Sequence, residues 1–310
     1  MSQRSRLTEK LLGSRHEMGD GMSSLHKWLT NGLLITDGAW GTELQARGLL
    51  PGTMPDTWNL TYPERVEAVA RAYVEAGSQV ILTNTFRANA IAMHGCPEDD
   101  LDAINRAGVA LSRQAAGETL VFASIGPTGK MLLSGEIDSE QVTAAFTAQA
   151  RSLAAAGADA LLVETMSDIE EARLAVDAAR RTGLPVIVSF AFDSGKNKDR
   201  TMMGATPESV AEAMVEAGAD AVGANCGVGV EQVVPICRRL HAACDLPVWI
   251  KPNAGLPTME GTAIRYSTSA EFFASHYTAL REAGAAFLGG CCGTTPEFIR
   301  ALASAQRAAL

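Results

Sequence analysis

Two adjacent thiols stand directly after a short apolar run: Ala285-Ala286-Phe287-Leu288 leads into Gly289-Gly290-Cys291-Cys292-Gly293-Thr294. Upstream, Ala221-Val222-Gly223-Ala224 runs into Asn225-Cys226-Gly227 in the same pattern, an apolar segment with a thiol at its end and a glycine that frees the backbone. Three thiols at the ends of apolar segments, far apart in sequence, suggest a site assembled in space. Zinc suits such a site, because thiolates are good ligands for it and three protein ligands leave a fourth position open to substrate. A lone cysteine is more often a small buried residue. Cys96, Cys237 and Cys244, in a loop and in or near a helix, read that way. The glycines beside Cys226, Cys291 and Cys292 set the trio apart.

Bringing two distant strand ends together needs a scaffold, and the chain alternates strand and helix throughout. Short, nearly continuous apolar segments at 33–36, 79–83, 120–124, 160–163, 186–190, 221–224, 248–250 and 286–288 fit strands of a parallel sheet covered by helices. Helical spacing predicts helices over 63–76, 99–116, 139–156, 169–182, 207–217, 232–243 and 269–283. A phrase recurs where those helices end: Glu75-Ala76-Gly77, Ala155-Ala156-Gly157, Glu216-Ala217-Gly218 and Glu282-Ala283-Gly284. Glycine there can take the left-handed conformation that stops a helix. The expected fold is α/β, a (β/α)8 TIM barrel in a single domain over residues 25–310, behind a mobile N-terminal arm over residues 1–24. Met22 could be the functional start, and a short helix is expected over 25–29. An open doubly wound sheet is the runner-up, weakened because no G-x-G-x-x-G follows the first strand.

In such barrels the site lies at the C-terminal ends of the strands. That rim would carry Asp37, Asn84, Ser124, Glu164, Asn225, Cys226, Asn253, Cys291 and Cys292. Asp37 alone could be an Asp-Gly turn and Glu164 a surface carboxylate. Beside a metal, two carboxylates suit an amino group on a substrate whose other end reaches the ion. Gly126-Pro127-Thr128-Gly129 could offer backbone N–H groups to an anion, or be a plain turn. Lys251 could form a Schiff base, but Pro252 follows it, and a structural or hydrogen-bonding role is the better reading. The five histidines, His16, His26, His94, His241 and His276, avoid the strand ends, and neither a P-loop nor a G-x-S-x-G elbow is present.

Composition bounds the rest. The 310 residues are 47% hydrophobic and 20% charged, as in a soluble globular protein. A net charge of −9 argues against nucleic acid or an anionic membrane as partner. No run of eighteen apolar residues and no signal peptide are present. Six cysteines in a chain of this length are too few for a disulfide scaffold, so a cytoplasmic location is expected.

The chain resembles the homocysteine S-methyltransferases, which include betaine–homocysteine methyltransferases and the homocysteine-binding domain of cobalamin-dependent methionine synthases. The resemblance runs from about Leu33 to Ala301. It is carried by Asp37-Gly38-Ala39-Trp40-Gly41-Thr42-Glu43-Leu44, Thr83-Asn84-Thr85-Phe86, Gly126-Pro127-Thr128-Gly129 and Val163-Glu164-Thr165. Gly223-Ala224-Asn225-Cys226-Gly227, Lys251-Pro252-Asn253-Ala254-Gly255 and the paired-cysteine segment complete it. The resemblance implies that Cys226, Cys291 and Cys292 bind zinc and that Asp37 and Glu164 hold the amino acid end of homocysteine, with Asn225 a further substrate-binding candidate. Arg87 follows Phe86 where the betaine enzymes carry an aromatic residue, and the loop Pro55-Asp56-Thr57-Trp58-Asn59-Leu60 does not reproduce their donor-binding stretch.

The implied reaction is attack of a zinc-bound homocysteine thiolate on a methyl donor, giving methionine. The donor expected is a methylcorrinoid or a methyltetrahydrofolate-linked donor, supplied as a small molecule or by a separate corrinoid protein. Betaine, S-methylmethionine and S-adenosylmethionine are the alternatives within the enzyme class. A zinc-stabilised binding protein without turnover is the alternative outside it.

Overall fold

The computed structural model of the chain describes residues 24–260 and 263–309. The arm expected over residues 1–24, with its Met22, lies outside them except for Ser24. Residues 24–31 hold a short helix, α1 (Ser24–Trp28), and a 3-10 turn over Leu29–Asn31.

From Gly32 onward the chain is one compact unit. Its sheet has eight parallel strands: β1 (Leu34–Ile35), β2 (Val80–Leu82), β3 (Leu120–Ile125), β4 (Ala160–Met166), β5 (Val186–Phe190), β6 (Ala221–Gly229), β7 (Val248–Asn253) and β10 (Ala285–Leu288). The intervening β8 (Pro257–Glu260) and β9 (Ala263–Tyr266) form a separate antiparallel hairpin. The sheet order is β1-β10-β7-β6-β5-β4-β3-β2. A bridge between Thr36 and Val80, with the Gln79 N–H donating to the Ile35 carbonyl at 2.7 Å, brings β2 back to β1. This is the expected (β/α)8 barrel.

Period-two alternation sorts the strand residues. Ile81, Val121, Leu161, Val188, Val222 and Ile250 face the surrounding helices in one large apolar core. The intervening Phe122, Trp249 and Phe287 meet inside the barrel, with ring centroids 5.2–6.0 Å apart. Burying each such ring stabilises the fold by about 1.5–3 kcal/mol. Two residues beyond Phe122 and Trp249 come Ser124 and Lys251, so the next inward level toward the mouth is polar.

The helices are α2 (Trp40–Ala46), α3 (Trp58–Thr61), α4 (Pro63–Ala76), α5 (Glu98–Ala116), α6 (Ser139–Ala155), α7 (Ile169–Arg180), α8 (Pro207–Ala217), α9 (Val230–Ala243), α10 (Ala270–Ser275), α11 (Tyr277–Glu282) and α12 (Pro296–Ala308). The four glycines expected to stop helices take φ of +104° (Gly77), +92° (Gly157), +80° (Gly218) and +99° (Gly284). At the other ends, Asp138 with Gln141 and Thr206 with Ser209 form capping boxes for α6 and α8.

The structure departs from expectation in three places. The helix expected over 269–283 divides at His276 into α10 and α11. The β8–β9 hairpin, α2, α3 and α12 are additions. Strands β4, β6 and β7 run past the first polar residue: Asn225 and Lys251 pair with each other across β6 and β7, while Glu164 falls in a register irregularity between β4 and β5. No described helix is long and apolar enough to cross a membrane.

Candidate active site

The paired thiols hang from the end of β10 and are stitched to both neighbouring strands. Gly289 N–H donates to the Ile250 carbonyl at 3.0 Å, Gly290 N–H to Asp37 at 3.0 Å and Cys291 N–H to Pro252 at 2.8 Å. Glycine is required at 289: a Cβ there would overlap the Thr36 hydroxyl and the Asp37 carbonyl. Cys226 reaches the same place from β6 through a left-handed hook, with φ +60° followed by +68° at Gly227. That conformation costs a non-glycine residue about 1–2 kcal/mol. It sets the Cys226 sulfur 3.7 Å from that of Cys292.

All three sulfurs of Cys226, Cys291 and Cys292 lie within 4.8 Å of one another. Tetrahedral zinc with Zn–S bonds of about 2.3 Å would set its sulfurs about 3.8 Å apart, so the donor set fits that ion. Hydrogen bonds from Cys291 and Cys292 hold the Cys226 thiol down to about 3, and the same sharing pushes Cys292 up to about 12 and Cys291 up as well. Nearby, the Asn253 Oδ1 is buried with no hydrogen-bond partner among the described residues. From the hairpin, Tyr266 lies over Gly293, where a Cβ would overlap its ring. Burial and then the charge of Cys292 raise its phenol.

A cavity of about 350 Å³ opens beside the sulfurs, and Glu164, Thr165, Lys251, Ser124, Arg87 and Asp56 are among the residues that line it with them. Glu164 accepts a hydrogen bond from the Ser124 hydroxyl. Burial raises its carboxyl, and the Lys251 charge is the largest influence that offsets this. Asp37 lies behind this surface. Its Oδ2 accepts from the Trp40 indole and the Leu82 N–H, both at 2.7 Å, and its Oδ1 bonds the Lys251 ammonium.

The structure therefore brings Cys226, Cys291, Cys292 and Glu164 onto one cavity and sets Asp37 and Asn225 just outside its lining. Asn225 is a brace. Its Oδ1 accepts from the Thr165 N–H at 2.8 Å and from Ser189, while its Nδ2 donates to the Thr165 hydroxyl at 2.7 Å. Of the two readings open for residues 126–129, an anion cradle or a plain turn, the hydrogen bonds favour the turn. Gly126 N–H is taken by the Phe86 carbonyl and Thr128 N–H by Glu171, both at 2.7 Å. Cys237 is buried in α9, its thiol pushed up to about 12 by that burial, as expected of a structural residue.

Sequence reading passed over Asp56. It is 1% exposed, accepts the Arg87 N–H at 2.9 Å, and burial raises its carboxyl to about 6. A lone acid in a loop of uncertain course gives no signal of burial.

Three thiols close enough together to hold a metal ion, a carboxylate and an ammonium thus meet at the mouth of the barrel. A family model described as homocysteine S-methyltransferase matches residues 34–306, and the chain belongs to that family. It is 31% identical over 301 residues to the methionine synthase of Mycobacterium tuberculosis, covering 89% of this chain and 25% of that protein. The methionine synthase of Mycobacterium leprae is 31% identical over 308 residues, with 91% and 25% covered. The chain thus spans about a quarter of the length of these curated relatives. Among solved structures it is similar to the metallated form of the homocysteine methyltransferase MmuM from Escherichia coli. That match has a TM-score of 0.73 at 26% identity, covering 88% of this chain and 96% of the other.

Proposed function

We propose that this chain is a zinc-dependent homocysteine S-methyltransferase that forms methionine. One observation carries the reading: the sulfurs of Cys226, Cys291 and Cys292 share a single cavity of about 350 Å³ with the Glu164 carboxylate. Homocysteine has a thiol at one end and an α-ammonium at the other, so one molecule can reach both. Bound zinc supplies Lewis acidity that keeps a thiol, with an ordinary pKa of about 8.5, in the thiolate form near neutral pH. Cys226, Cys291 and Cys292 hold the metal, and Glu164 with Asp37 orients the amino acid end.

In the transfer, the homocysteine sulfur forms the new S–CH3 bond with its lone pair. The bond between the methyl and its donor breaks, and the donor leaves with that electron pair. Alignment of the two substrates is then the main task of the barrel, an effect worth on the order of 7–11 kcal/mol. The donor we favour is a methylcorrinoid presented at the mouth by a separate protein. Arg87 at the cavity disfavours the trimethylammonium of betaine, which aromatic faces attract. The six free cysteines fit a reducing, cytoplasmic setting.

The test joins metal content to a donor panel with homocysteine: methylcobalamin, betaine, S-methylmethionine and S-adenosylmethionine. One zinc per chain with saturable methionine formation is expected. Zinc and homocysteine binding with no methionine from any donor would mark a binding protein instead.

A further inference from the structure

The polar level of the barrel contains a cation with no assigned task. Lys251 is the register partner of Asn225 across β6 and β7, and its side chain is 3% exposed. It bonds the carboxylate of Asp37, which is 0% exposed and already accepts two other hydrogen bonds. Asp37 is thus an anchor. Lys251, unlike Asp37, lines the cavity, where Glu164 is its anionic neighbour.

Glu164 Oε1 is engaged by Ser124, and no described residue donates to Oε2. The Lys251 ammonium is ion-paired with Asp37, and among the described residues no ion pair reaches Glu164, which lines the same cavity, so Glu164 is the buried carboxylate left without its own cation. A buried carboxylate without a compensating partner is costly, and it protonates unless a cation is near. The α-ammonium of an amino acid would supply the missing charge.

We propose that Lys251, fixed by Asp37, is a positioning residue that keeps Glu164 anionic with its free oxygen toward the cavity, so that the site selects thiols carrying an α-ammonium. This rests on the homocysteine reading above. In this arrangement Asp37 acts through Lys251, and Glu164 makes the contact.

The experiment is equilibrium binding of homocysteine and of its des-amino analogue, 4-mercaptobutanoate, to zinc-loaded wild type, Lys251→Met and Lys251→Arg, with zinc content and thermal unfolding alongside. Wild type is expected to favour homocysteine. Lys251→Met should weaken homocysteine binding about thirtyfold or more, leave 4-mercaptobutanoate nearly unchanged and retain zinc, while Lys251→Arg restores much of the preference. Should Lys251→Met fold poorly because Asp37 is left unpaired, Asp37→Asn/Lys251→Met removes that charge and should also lack the preference.

Equal losses for the two thiols would make Lys251 merely structural and overturn the proposal, as would an intact preference in either Met variant. A wild type that binds the two thiols alike overturns the homocysteine reading as well, which separates the two failures.

Discussion

The sulfurs of Cys226 and Cys292 lie 3.7 Å apart although 66 residues separate them. The span matches the edge expected of a tetrahedral zinc–thiolate centre, about 3.8 Å. Replacing Cys226, Cys291 or Cys292 with alanine should each lower zinc content sharply and abolish methionine formation. Cys237→Ala, in the buried face of α9, should change neither. Full zinc occupancy in Cys292→Ala, read by elemental analysis, would remove that residue from the ligand set.

Zinc should also be lost without touching a ligand. In Gly289→Ala the new methyl would overlap the Thr36 hydroxyl and the Asp37 carbonyl, forcing the paired-thiol loop away from β1. The expected outcome is a folded barrel with weakened zinc affinity, checked by competition against a chromogenic chelator. Affinity equal to wild type would show that the loop tolerates displacement.

Glu164→Gln keeps the shape of the side chain and removes its charge. Homocysteine affinity should fall by roughly tenfold or more, since a charge-assisted hydrogen bond contributes about 1.5–3 kcal/mol, while zinc stays in place. Calorimetric titration with homocysteine decides it. Unchanged affinity would reassign Glu164 to a structural role.

Asp56 gives a pH signature. Its carboxyl titrates near 6 when folded against an ordinary 3.8. Stability supplied by its protonation is therefore fully present below about pH 4 and lost as the pH rises through 6, a cost of about 3 kcal/mol. Asp56→Asn should be stabilised relative to wild type at pH 8 and gain little at pH 4. Denaturant unfolding of both proteins at the two pH values tests this, and a pH-independent difference contradicts it.

Arg87 bears on the donor. Two unit charges about 6 Å apart interact by about 3 kcal/mol at an effective dielectric near 20, and by about 0.7 kcal/mol in bulk water. Because Arg87 is exposed, the repulsion of a quaternary ammonium belongs toward the lower figure. Betaine should serve poorly as donor, and Arg87→Ala should improve kcat/KM for betaine by a few-fold without altering homocysteine binding. Efficient turnover of betaine by the wild type would refute this.

Much of the scaffold was legible because it is written locally. Apolar runs mark the strands, and the glycines at 77, 157, 218 and 284 adopt the helix-stopping conformation that their position implies. Cys226, Cys291 and Cys292 could be grouped because each follows an apolar run beside glycine. The division of labour between Asp37 and Lys251 was not legible: 214 residues separate them, and only barrel closure makes them partners. The Asp37-Gly38 pair reads the same whether its carboxylate faces a substrate or a lysine. Helix α12 had a signal that went unused, since Pro296 follows Thr295 and Phe298, Ile299, Leu302 and Ala303 share a buried face. The hairpin at 257–266 had no such signal.

The barrel closes late in the making of its strands. Strand β1 pairs along its length with β10, and joins β2 through the Thr36–Val80 bridge and the Gln79 N–H donated to the Ile35 carbonyl. During synthesis, the first strand must therefore wait until residues 285–288 have been made before its principal neighbour exists. Cys291 and Cys292 emerge from the ribosome immediately behind that neighbour. Completion of the ring and delivery of the last two sulfurs thus fall within a few residues of translation.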